Sequence, residues 1–298
     1  MEYKDFKYYF STWKKLNIDF IITAYKNYKI PKKKNVSFND PFVKQFYKQA
    51  NPVFVLSTGR CGTEYLTNIL KKISQLDVFH SPKPEMLFYT KFAYEFYKTK
   101  HIEIIDIVNA TRSELILKSF MRKRRFVETN NLITFFSYAL AELFPNSKFI
   151  HLIRHPGGFV RSGIRRKWYE GKSLHDISRI TPLIKDVDFT QWSNIEKVGW
   201  LWNETNEFIE TFKNNLSDSK RIITIRAEDM FSRIETIKEI FTFLNASMEE
   251  NFIKKQIKKK PVNEQKLGIF PAFENWSEEE KDLLRKVATM AIKYNYVI

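Results

Sequence analysis

The stretch Ser57-Thr58-Gly59-Arg60-Cys61-Gly62-Thr63 has the clearest chemical content in this chain. Gly59 and Gly62 permit the backbone conformations of a tight, anion-cradling turn. Arg60 adds a planar charged fork suited to phosphate or sulfate oxygens. The apolar run Val53 to Leu56 reads as a strand, and Thr63 to Lys72 reads as a helix whose first N–H groups and dipole favour an anion. Two anion chemistries fail on residue identity. A Walker A loop needs its own glycine spacing and a lysine, and neither is present. A cysteine phosphatase needs an arginine six positions after its cysteine, where Thr67 stands. Cys61 lies near a helix N-terminus beside Arg60, a setting that lowers a thiol pKa, but it has no neighbouring base in sequence. It reads as a small packing or hydrogen-bonding residue.

A second candidate anion site lies in KFIHLIRHPGGFVRSGIRRKWY, residues 148–169. Arg154 closes an alternating strand, and Ser162 falls in the helix after the His155-Pro156-Gly157-Gly158 turn. In a parallel sheet the carboxyl ends of the strands gather on one edge, where ligands bind. Arg154 is therefore expected beside Arg60, with the Ser162 hydroxyl nearby.

These residues need a scaffold, and the pattern along the chain supplies one. Short strands are expected at 53–56, 115–118, 126–128, 148–153 and 221–225, and helices at 63–72, 132–144, 200–212 and 232–244. Strands alternating with helices argue for an α/β fold, a central parallel sheet covered by helices on both faces. Asn51-Pro52 marks the boundary between an aromatic-rich, partly helical N-terminal extension, residues 1–50, and one α/β domain, 51–298. The chain of 298 residues is 43% hydrophobic, enough for a substantial core. One cysteine excludes a disulfide framework or a multi-cysteine zinc site and fits a reducing, cytoplasmic setting. No signal pattern or membrane-spanning run is evident. The net charge of +16 raises a nucleic-acid hypothesis, but the lysines are dispersed, with local clusters at 32–34 and 254–260. Small anionic substrates fit better.

With both motifs in order, the sequence resembles the sulfotransferases that use 3′-phosphoadenosine 5′-phosphosulfate, PAPS. Their 5′-phosphosulfate loop is similar to Ser57–Thr63, and their 3′-phosphate element is similar to Arg154 with Ser162 eight residues on. Further similar stretches are FVETNN at 126–131, WLWNETNEFI at 200–209, IRAEDM from Ile225, and PVNEQKLGIF with NWSEEE near the C-terminus. The likeness is closer to carbohydrate-type members than to cytosolic phenol-type members. It implies a three-layer sandwich like that of P-loop nucleotide hydrolases. It departs at Glu64, Tyr65, His155 and Ala227, which stand where relatives carry a hydroxyl residue, tryptophan, an acid and tyrosine. Those departures bear on the adenine contacts more than on the phosphate contacts.

The resemblance implies a sulfuryl transfer from PAPS to a hydroxyl acceptor, a sugar or glycolipid, releasing PAP without a metal. Donor contacts would come from Ser57, Thr58, Gly59, Arg60, Cys61, Gly62, Thr63, Glu64, Arg154 and Ser162, with Arg60 stabilising charge on the leaving nucleotide. The acceptor's proton needs a base, and His80 and Glu85 are the candidates, Glu85 slightly preferred. Glu128 and Asn130 are candidates for the acceptor side. Trp192, Trp200 and Trp202 could stack on sugars but more readily read as core. The alternatives are a small-molecule kinase of the P-loop class, which the missing lysine disfavours, and a non-catalytic basic module for polyanions.

Overall fold

Val53–Leu56, strand β1, is buried along its whole length, and its alternate residues enter two different cores. Phe54 and Leu56 join one cluster, Val53 and Val55 the other, as the two-residue period of a strand covered on both faces requires. The computed structural model describes residues 41–171, 174–184, 187–246, 249, 251 and 268–298. Two compact units divide after Lys44, and the larger one, Gln45–Ile298, holds the whole sheet and both anion motifs.

In chain order the elements are helix α1 (Pro41–Gln49), β1, α2 (Thr63–Leu70), β2 (Leu76–Phe79), α3 (Thr90–Phe96) and α4 (His101–Met121). Then come β3 (Arg125–Glu128), α5 (Ser137–Leu143), β4 (Lys148–Ile153), α6 (Pro156–Ile164) and α7 (Asn194–Asn215). The chain continues through β5 (Ile222–Arg226), α8 (Ala227–Ser232), α9 (Ile234–Phe243) and α10 (Glu278–Val287). The five strands are all parallel, in the order β2-β3-β1-β4-β5. Helix α2 packs with α8 and α9 on one face, whereas α4, α5, α6, α7 and α10 cover the other. The expected three-layer α/β sandwich is present.

The helices after β1 and β4 leave toward opposite faces of the sheet. That makes the gap between these adjacent strands a topological switch point, with a crevice at their carboxyl ends. The loops after β1 and β4 are the two anion motifs read in the sequence.

The structure corrects several expected elements. Residues 115–118 form no strand, because they lie within the 21-residue helix α4. Its buried positions Ile104, Val108, Arg112, Ile116 and Ser119 follow a helical stripe, but a charged residue in the middle of that stripe breaks its apolar pattern. The segment expected as one helix over 132–144 divides into a 3-10 turn, Asn131–Phe136, and α5. Strand β2 is not among the expected strands, since Leu76–Phe79 is short and holds the buried Asp77. Helix α7 is longer than expected, opened by a capping box in which Ser193 and Glu196 satisfy each other's backbone N–H groups. The lysine cluster at 254–260 and most of the PVNEQKLGIF stretch lie outside the described residues. No described helix is long and apolar enough to cross a membrane.

Candidate active site at the carboxyl edge of the sheet

Gly59, Arg60 and Gly62 all take left-handed backbone conformations, with φ of 79°, 58° and 86°. Such a run turns successive N–H groups toward one concavity, an arrangement suited to anions. Only glycine fits at position 62, because a Cβ there would lie 2.5 Å from the Phe231 ring. The loop is fixed from beneath. Ser57 N–H donates to Thr134 Oγ1 at 3.0 Å, and that hydroxyl donates back to the Ser57 carbonyl at 3.0 Å. Gly59 N–H donates to Ser57 Oγ at 3.1 Å.

Cys61 faces inward, fully buried, its thiol donating to the Gly59 carbonyl and lying against the Thr58 hydroxyl. Burial pushes its pKa up to about 11, which removes the thiolate a nucleophile would need. Thr63 and Glu64 open α2, whose first N–H groups have no intrahelical acceptor.

The second motif meets the first. Arg154 Nη1 donates to the Arg60 carbonyl at 3.0 Å, and Arg60 Nε donates to Ser162 Oγ at 3.3 Å. Arg154 is itself fixed, because its carbonyl accepts from the indole N–H of the fully buried Trp202 at 2.9 Å. His155 does the capping work expected of an acid. Its Nδ1 accepts from Gly157 N–H at 3.1 Å at the start of α6, while Nε2 donates to the Val297 carbonyl at 2.9 Å. Burial, and then repulsion from Arg154, lowers the Arg60 pKa. Arg166 joins this group, 2.7 Å from Ser162 Oγ. It is not among the residues singled out in the sequence, although its i, i+4 spacing from Ser162 was there to be read.

The profile of the Sulfotransferase family matches residues 52–250, which contain both motifs. The chain belongs to the sulfotransferase family. No curated protein matches it. Among solved structures it is similar to the sulfotransferase domain from the curacin biosynthetic pathway, at 16% identity over 84% of this chain and 99% of that one, TM-score 0.49. It is similar as well to the sulfotransferase domain of the Synechococcus PCC 7002 olefin synthase, at 13% identity over 84% and 97%, TM-score 0.49. Mouse sulfotransferase SULT7A1 complexed with PAP matches at 11% identity over 86% and 90%, TM-score 0.48.

Elsewhere on the carboxyl edge of this sulfotransferase, His80 follows β2 and Thr129 follows β3. The Thr67 hydroxyl, on α2, lies 2.7 Å from the Thr63 carbonyl. The Thr67 and Thr129 hydroxyls are 2.6 Å apart, and Thr129 Oγ1 lies 3.0 Å from His80 Nδ1. Thr129 Oγ1 also lies 3.3 Å from the Phe79 carbonyl, so its one proton goes either to that carbonyl, with Thr67 donating to Thr129, or to Thr67. In both arrangements the proton is used, and His80 donates from Nδ1 to Thr129. The hydrogen-bond network thus assigns the tautomer that leaves Nε2 with a bare lone pair. Burial of the inner edge lowers the His80 pKa, while Glu64 opposes the shift. No sequence motif announces this relay, because three distant segments build it.

Glu85 is exposed on the loop before α3. Glu128 is fully buried, with both carboxylate oxygens on Arg112 at 2.6 and 2.9 Å, so this carboxylate is not offered to an acceptor. Asn130 is buried too, and its Oδ1 caps the 3-10 turn by accepting from Leu132 N–H at 3.1 Å. Trp192 and Trp200 both pack on Phe189. Tyr65 is buried edge-on against Phe231, and Ala227 is fully buried at the start of α8.

Proposed function

We propose that this sulfotransferase moves a sulfuryl group from PAPS to a hydroxyl of a sugar or glycolipid, in a reducing, cytoplasmic setting. The catalytic domain would span 51–298, with 1–50 an N-terminal extension. The observation that carries the donor assignment is the convergence of Arg60, Arg154 and Ser162 in the crevice between β1 and β4. Their donors fit a ligand with two anionic groups. The left-handed loop, Ser57 to Thr63 with Glu64 after it, would hold the 5′-phosphosulfate, and Arg154 with Ser162 the 3′-phosphate.

The residues then act by position and charge, as a loose in-line transfer requires. Arg60 and the loop N–H groups stabilise negative charge on the bridging oxygen as its bond to sulfur breaks. His80 Nε2 takes the acceptor's proton as the acceptor oxygen bonds to sulfur. The hydroxyl relay favours His80 over Glu85 for this role, since it presets the basic nitrogen.

The test is transfer of labelled sulfur from PAPS to panels of sugars, glycolipids and phenols. Label is expected on a sugar or glycolipid, and Arg60→Ala is expected to lower turnover by ~10²- to 10³-fold. Transfer to phenols alone contradicts the acceptor class. Binding of PAP without transfer to any acceptor contradicts catalysis.

A further inference from the structure

At the amino edge of the sheet, opposite the β1–β4 crevice, an open cavity of about 530 Å³ lies at the start of β1, β2 and β3. The ends of α1, α4 and α9 wall it, and its size is that of a small-molecule site. Leu76, Phe120, Met121 and Leu244 give it an apolar side, with Met121 63% exposed. Lys123, Arg124 and Arg125 give it a basic side, and no carboxylate is among its lining residues.

These cations are not equivalent. Arg124 Nη1 lies 2.9 Å from Asp77 Oδ1, and its Nε donates to the Ser74 carbonyl at 2.7 Å. Arg125 is half-buried and pairs with no carboxylate among the described residues. Its Nη1 donates to the Leu244 carbonyl at 2.6 Å, but no acceptor among the described residues meets its Nε–Nη2 edge. Those two N–H groups point in parallel, the arrangement that an oxyanion bridges with two oxygens. Burial lowers the Arg125 pKa, and burial and then Arg125 lower that of Lys148. Cations gathered where water is partly excluded cost free energy, which a bound anion offsets.

The two helix ends do not cancel this charge. Arg124 N–H takes the Ser119 carbonyl at 2.9 Å, and Ala246 N–H takes the Phe241 carbonyl at 2.8 Å, closing α4 and α9. A helix C-terminus carries about half a negative charge, less than the two full charges of Arg125 and Lys148 at the end of α9.

We propose that this cavity binds a small amphipathic organic anion, a carboxylate or sulfate monoester on a short apolar body. The Nε–Nη2 edge of Arg125 takes the anionic head, and Leu76, Phe120, Met121 and Leu244 take the body. A neutral ligand would leave the guanidinium edge without an acceptor, and an inorganic anion would leave the apolar wall wet. The site lies at the far end of β1 and β3 from the Ser57–Thr63 loop and is independent of what that loop binds.

The experiment is calorimetric titration of the full chain with octanoate, octyl sulfate and octanol, with thermal unfolding in each. One-to-one binding of octanoate or octyl sulfate that raises Tm is expected, with octanol at least ~10-fold weaker. The tighter of the two heads identifies the source as a carboxylate or a sulfate ester. Arg125→Met is expected to weaken anion binding ~10- to 100-fold. Met121→Glu, which sets a carboxylate on the exposed wall, is expected to weaken it as well, whereas Arg154→Ala leaves it unchanged. Octanol binding as tightly as the anions, anion binding unchanged in Arg125→Met, or a loss in Arg154→Ala overturns the inference. Wild type that binds neither anion, or whose Tm only falls, overturns it too. Should Arg125→Met fail to fold, Met121→Glu decides: weakened binding supports the site, and unchanged binding overturns it.

Discussion

As the proposed base, His80 would act only as a neutral imidazole with Nε2 bare, and its environment favours that form. Its folded-state pKa is lowered from 6.5, mainly by desolvation. The base form is present above the folded pKa, so kcat/KM falls as pH drops through it, below the ordinary histidine range. The proton that quenches activity binds the unfolded chain more readily, so the related loss of stability begins near pH 6.5 and is complete at the folded pKa. His80→Gln is expected to remove this acid limb and lower kcat by ~10²- to 10⁴-fold. A pH–rate profile checks it; an unchanged limb in the variant would assign the proton to another group. At this scale the sequence is legible where chemistry is local. Ser57 to Thr63 is one contiguous turn, and Arg154 and Ser162 flank one strand–helix junction. Glu128 is misleading, because nothing in its own neighbourhood announces Arg112, sixteen residues earlier on α4.

Helix α4 shows what local pattern cannot supply. Arg112 and Glu128 form a fully buried, two-pronged ion pair joining α4 to β3. Arg112 Nη1 also donates to the Pro84 carbonyl at 2.9 Å, tying the same helix to the loop that carries Glu85. Burial pushes the Glu128 carboxyl up, and the Arg112 guanidinium opposes that shift. Arg112→Met strands a buried carboxylate and is expected to cost ~3–5 kcal/mol of stability, whereas Arg112→Met with Glu128→Leu recovers most of it. Urea unfolding of the two variants checks this, and equal stability of single and double variants would contradict it. The same pair explains why 101–121 does not read as one helix in the sequence. Its buried stripe is completed by a charge, and periodicity arguments count apolar residues only. Strands β1 and β4 are legible for the opposite reason, since both bury apolar side chains on each face with little interruption.

Across the whole molecule, a net charge of +16 overstates the appetite for anions. At the amino edge of the sheet, Arg125 Nη1 and Lys148 Nζ each donate at 2.6 Å to the last carbonyls around α9, at Leu244 and Phe243. Those cations complement a helix C-terminus. At the carboxyl edge Arg60, Arg154 and Arg166 face one another across the β1–β4 crevice, with Ser162 among them. The strand order sets that division of labour, because it opens the switch point beside the two arginine-bearing loops. Composition could not locate the charge that matters; the two loop motifs and the parallel topology could. The most direct measurement of the donor site is calorimetric titration of wild type and Arg154→Ala with PAP. Saturable one-to-one binding to wild type is expected, weakened ~10- to 100-fold in the variant. Folded wild-type protein that takes up no PAP at millimolar concentration would contradict it.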